Sequence, residues 1–114
     1  RQTFAATAGS PIAAGVWVRT YREGGSGGDT ACRVGLDRSG GTDPQAADVV
    51  WSEWTESPDF WRPVCVASTA TGGSFTVFLQ HRQAAPVWNV TCFDDAVVLG
   101  GAAVPADLTA LFVY

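Results

Sequence analysis

The sequence predicts an all-β protein, an antiparallel β-sandwich, on three observations. Extended runs rich in Val, Thr and aromatic residues recur between clusters of Gly, Pro, Ser and Asp, with turn signals every ~8 to 14 residues. Charged residues make up only 16%, Lys is absent, and Gly (13), Trp (five) and Phe (six) are plentiful. No segment carries the 3.6-residue apolar period over the length of an ordinary helix. Seven or eight short strands, counted roughly, make a sandwich, with a small barrel as the structural alternative. The stretch from Val49 to Leu99 organises the rest, because its strand-like runs are the plainest and each is closed by turn residues.

In chain order, Arg1 to Ala6 reads as a short strand ended by Ala8-Gly9-Ser10-Pro11. Ile12 to Arg22 follows, with Val16, Val18 and Thr20 alternating against Trp17, Arg19 and Tyr21, the period of a strand with two distinct faces. Glu23 to Asp29 is a Gly-rich hairpin loop; no Gly-Lys-Ser/Thr follows and no helix opens after it, which excludes a phosphate-cradling loop. Thr30 to Leu36 is a third strand, with Cys32, Val34 and Leu36 on one face. The irregular segment Asp37 to Asp48 is long for a compact domain, and its Asp residues serve as turn formers or as oxygen ligands, though not at EF-hand spacing.

Val49 to Glu56 resumes extended structure with Trp51 and Trp54. Trp61 to Ala70 places Val64, Val66 and Ser68 opposite Trp61, Pro63, Cys65 and Ala67, with Trp61 assigned to the core. Thr71-Gly72-Gly73 then joins it to Ser74–His81, which predicts a hairpin. Asn89 to Leu99 is the last clear strand, and its adjacent Asp94 and Asp95 require that at least one face a loop, a metal or water. The tail from Gly100 to Tyr114 ends in LTALFVY, with the composition of an extra strand. The division expected is a domain over 1–99 and an apolar tail over 100–114.

Charge and cysteine usage narrow the function. A net charge of −4, from 7 basic and 11 acidic residues, excludes the clustered cationic face that nucleic acid needs. No apolar run approaches the ~20 residues of a membrane helix. The chain opens on Arg1 without a leader pattern, as expected of a processed or excised piece. At 114 residues it is one domain that buries roughly two-thirds of its unfolded surface. Cys32, Cys65 and Cys92 lack metal spacing and read either as buried apolar residues or as one disulfide plus a thiol, Cys65 with Cys92 being the candidate pair.

The order QTF, GVWVRTY, RVGLDRSGGTDP, VVWSEW, FWRPVCVASTATGGSFTVFL and NVTCFDDAVVL resembles the galactose-binding-like jelly-roll domains, of the carbohydrate-binding-module type found on bacterial secreted and surface proteins. The match runs from Gln2 to about Leu99. The resemblance implies a jelly roll that lacks its first strand here, a structural Ca²⁺ with Asp94 as a ligand, and an extracellular or cell-surface location. It implies a non-catalytic module whose partner is a polysaccharide or glycan.

Sugar rings pack their C–H faces on aromatic planes and direct hydroxyls to planar polar groups. The candidates are Trp17, Arg19, Trp51, Trp54, Gln80 and Trp88, with Trp54 and Trp88 expected on the surface. The alternative is a structural or adhesive surface domain that self-associates by strand addition, the vacant strand position being filled by the apolar tail of its own chain or of a neighbour. No enzyme is expected. Glu53 with Glu56, or Asp94 with Asp95, are near neighbours on one strand rather than acids facing across a cleft. His81 has no nucleophile elbow to serve.

Overall fold

The computed structural model describes residues 1–22, 30–84 and 89–112, with the side chains of Arg22 and Asn89 excepted. The Gly-rich loop Glu23–Asp29, the candidate Trp88 and the terminal Val113 and Tyr114 lie outside the described residues. Strands β1 (Gln2–Ala5), β2 (Pro11–Arg22), β3 (Thr30–Asp37), β4 (Val49–Trp51), β5 (Arg62–Thr69), β6 (Ser74–Gln83) and β7 (Asn89–Gly100) form two antiparallel sheets. Their orders are β1-β6-β3-β4 and β5-β2-β7. The protein is an antiparallel β-sandwich.

Period-2 patterning fills the space between the sheets. Cys32, Val34, Leu36, Phe75 and Val77 from the larger sheet meet Ile12, Ala14, Val16, Val18, Val64 and Val66 from the smaller one. The pairings are nested: β3 with β4, then β2 with β5, then β1 with β6. In this wound-ribbon order β7 pairs with β2 and leaves its other edge without a strand among the described residues. A cleft of about 490 Å³ opens beside that edge, lined by Phe4, Val34, Val77, Leu79 and Val98, with Arg1 at its rim.

Three sequence expectations are corrected. Thr71-Gly72-Gly73 does not close a hairpin, because β5 pairs with β2 in one sheet while β6 pairs with β1 and β3 in the other. Alternation records which residues share a face; a turn between layers and a turn within one layer leave the same pattern. The Val49–Glu56 run stops as a strand at Trp51, where the Ser52 hydroxyl replaces a backbone acceptor for Val34 N–H at 3.1 Å. Pairing resumes at a single bridge between Cys32 and Thr55. The tail residues Leu108–Phe112 form a 3-10 helix, not a strand, and lie on the outer face of β5-β2-β7. A Cβ at Gly15 would stand 2.5 Å from the Phe112 ring, so this close cover requires glycine there.

Candidate functional site

The outer face of each sheet carries one aromatic cluster. On β1-β6-β3-β4, Trp51 stands opposite Gly35 and lies across it, with ring carbons 2.5 to 2.8 Å from where a Cβ would be. Glycine in a strand interior often marks such close approach. The Arg33 guanidinium sits 4.0 Å from the Trp51 ring centre and 4.2 Å from that of Trp54. Arg82 sits 4.2 Å from Trp54, and Arg33 Nε donates to Gln80 Oε1 at 2.7 Å. Burial, then the charge of Arg82, holds the Arg33 guanidinium below its ordinary value.

Trp51, Trp54 and Gln80 are thus brought together, as a clasp closed by two arginines. Each cation–π contact at such a site is worth about 0.5 to 1 kcal/mol. The arginines lie over ring surface that a sugar would need, and Gln80 spends its acceptor inside the cluster. Trp54, expected on the surface, is half-buried beneath them.

The second cluster lies on the other side of the molecule. Trp17 stands opposite Pro63 on β5 and Asp94 on β7. Its ring meets Phe112 edge-on, 5.5 Å between centres, so the 3-10 helix fixes its orientation. Between Gly15 and Trp17 the register with β7 shifts, because Asp95 and Ala96 together oppose Val16. Asp95 takes a left-handed backbone (φ 49°) at this bulge, a conformation that Asp tolerates better than most side chains. Asp94 Oδ1 accepts the Asp95 N–H at 2.8 Å. Trp17, Trp61, Asp94 and Asp95 line an open concavity of about 360 Å³.

Trp61 is 42% exposed, which overturns its assignment to the core. It shares a face with Pro63 and Cys65, and that face points outward. Arg19, half-buried, lies on the same outer face of β2 beyond Trp17, opposite Cys92. The concavity unites two candidates, Trp17 and Asp94, with Asp95, the second acid of the expected pair, and with Trp61, which was expected in the core. A consecutive acid pair inside an apolar strand was the available signal for the bulge.

Among the described residues, no group of three or more His, Cys, Asp or Glu is gathered as metal ligands. Ca²⁺ takes about six to eight oxygens. Asp94 and Asp95 are the two acids that line the concavity, and Asp94 Oδ1 accepts the Asp95 N–H. All three cysteines are free thiols. Cys65 and Cys92 lie on the strands flanking β2, opposite Gly15 and Arg19 respectively. Burial pushes the Cys32 thiol up to about 11. His81 Nδ1 is hydrogen-bonded to Thr91 Oγ1 at 2.6 Å, tying β6 to β7 across the open side.

Asp37, at the start of the long loop, has a definite place. Asp37 is buried, and its Oδ1 accepts from Ser39 N–H (2.9 Å) and Ser39 Oγ–H (2.8 Å). Burial opposes its ionisation, but hydrogen bonds from Ser39, Gly41 and Gly40 outweigh that and hold the carboxyl below its ordinary value. It organises the loop rather than a site.

No protein family, curated protein or solved structure matches the chain.

Proposed function

We propose that the protein is a non-catalytic glycan-binding domain of an extracellular or cell-surface protein, with its sugar seated between Trp17 and Trp61. The observation that carries this reading is the concavity itself, where two indoles and two carboxylates converge on an exposed face. Indole planes suit the C–H face of a pyranose, and the carboxylates accept hydrogen bonds from vicinal hydroxyls. Asp94 and Asp95 sit side by side at one bulge, which suits hydroxyl recognition better than acid–base cleavage across a bond. A polysaccharide panel read by affinity electrophoresis and calorimetry tests the reading. Trp61→Ala is expected to weaken binding at least ~10-fold, the scale of a lost aromatic anchor, with an unchanged melting temperature. No binding by the native chain, or equal binding by the variant, overturns the proposal.

A second reading, assembly by strand addition, is favoured by the open edge of β7 and the apolar cleft beside it. An added strand would satisfy that edge and fill the cleft with alternate side chains. The expected result is concentration-dependent assembly in light scattering, abolished by Leu79→Lys, since Leu79 is exposed and lines the cleft. A native chain that stays monomeric at all concentrations excludes this reading.

A further inference from the structure

We infer that the Trp17–Trp61 concavity selects a cationic sugar, an amino sugar in its ammonium form; this rests on the glycan reading above. The charged side chains of its lining are two carboxylates, Asp94 and Asp95. The hydrogen bond described for them runs from Asp95 N–H to Asp94 Oδ1, leaving Asp94 Oδ2 and the Asp95 carboxylate to meet a ligand. Neither has an ion-pair partner among the described residues. Arg19 lies on the same face of β2, yet it stands opposite Cys92 and bonds to neither acid. The chain has no Lys to offer in its place.

The arrangement is therefore a site of acceptors and π-faces. A neutral hexose can use the acceptors through its hydroxyls, but it leaves two neighbouring negative charges in mutual repulsion. An ammonium on the sugar ring supplies three donors and the compensating charge together. It also benefits from the indoles, whose faces attract cations most strongly among aromatic side chains. N-acetylation of the same sugar removes the charge and replaces the donor cluster with one amide N–H. The site should thus distinguish free amino sugars from their acetylated counterparts of equal ring stereochemistry. The bulge is what brings the acids to this face: with Asp95 left-handed, the strand sets Asp94 opposite Trp17 instead of letting both acids alternate regularly.

The test uses glucosamine oligosaccharides, N-acetylglucosamine oligosaccharides and cello-oligosaccharides of equal length, compared by calorimetry. A pH of about 6 keeps ordinary carboxylic acids ionised and primary amines protonated. The glucosamine oligomer is expected to bind roughly 10-fold tighter than either neutral oligomer, the scale of charge-assisted over neutral hydrogen bonds. Asp94→Asn and Asp95→Asn are expected to reduce that preference, read as the ratio of glucosamine-oligomer to cello-oligomer affinity, to within ~2-fold. Asparagine also tolerates the left-handed backbone at position 95. A control variant, Asp43→Asn with Glu53→Gln, removes two exposed acids elsewhere and should keep the preference. Equal affinity for the three oligomers, or loss of the preference in the control variant, overturns the inference and leaves the glycan reading standing. Binding of none of them, with a polysaccharide panel also blank, overturns both.

Discussion

Phe75→Ala is expected to lower the unfolding free energy by about 3 to 5 kcal/mol, the usual cost of emptying a buried aromatic site. Phe75 is 2% exposed and is the largest of the fully buried side chains. Its ring stacks on Phe4 at 5.6 Å, holding the short strand β1 onto the sandwich. The surroundings cannot collapse freely into the space, because Phe75 lies on β6, which is held on both sides by β1 and β3. Denaturant unfolding measures the loss. A decrease below ~1 kcal/mol would mean that β1 closes the cavity or that the site is wet.

Asp37→Ala is expected to cost about 2 to 3 kcal/mol near neutral pH, since it strips the acceptors from several N–H and O–H groups at once. The pH dependence has a definite sign. A carboxyl whose folded value lies below its unfolded value adds stability that is fully present above the unfolded value, roughly pH 4. That stability disappears as the pH falls through the lower, folded value. The native protein should therefore lose stability as acid is added below about pH 4, more steeply than Asp37→Asn. Parallel melting curves for the two proteins would refute the role given to the Ser39, Gly40 and Gly41 donors.

Much of the sandwich was legible because alternation survives in the strands that form it. Val16, Val18 and Thr20 against Trp17, Arg19 and Tyr21 fixed the two faces of β2, and Cys32, Val34 and Leu36 those of β3. The layer each strand joins was not legible, which is why Thr71-Gly72-Gly73 read as a hairpin. Trp61 shows the same limit from another side. Its grouping with Pro63 and Cys65 was right, but alternation does not say which group meets the core. Hydrophobicity favoured the indole, whereas Val64 and Val66 had the packing.

The candidate site was less legible still. Trp17 and Asp94 come together only because Asp95 and Ala96 bulge against Val16, a shift whose one local trace is the consecutive acid pair and whose register that pair does not specify. On the other sheet, Trp51 and Trp54 are claimed by Arg33, a residue distant in sequence that β3 presents beside them. The mid-strand Gly35 was the visible trace of that contact, since a bare backbone leaves room for a ring.

The nested ribbon also carries an itinerary for folding. Its innermost rung, Asp37 with Val49, closes the shortest loop; Val18 with Arg62 closes a longer one, and Ala5 with Ser74 a longer one again. Closing each outer loop on an open chain costs more entropy than closing the one inside it, but once the inner rungs exist the remaining distance is already short. The chain therefore has reason to wind from the β3–β4 turn outward, with β1 captured late. Few of its contacts are local, so this winding is slow beside the folding of a helical domain of equal length. The Asp37 loop, which Arg38 ties to Thr69 and Thr71 in the finished molecule, then becomes the place where the winding begins.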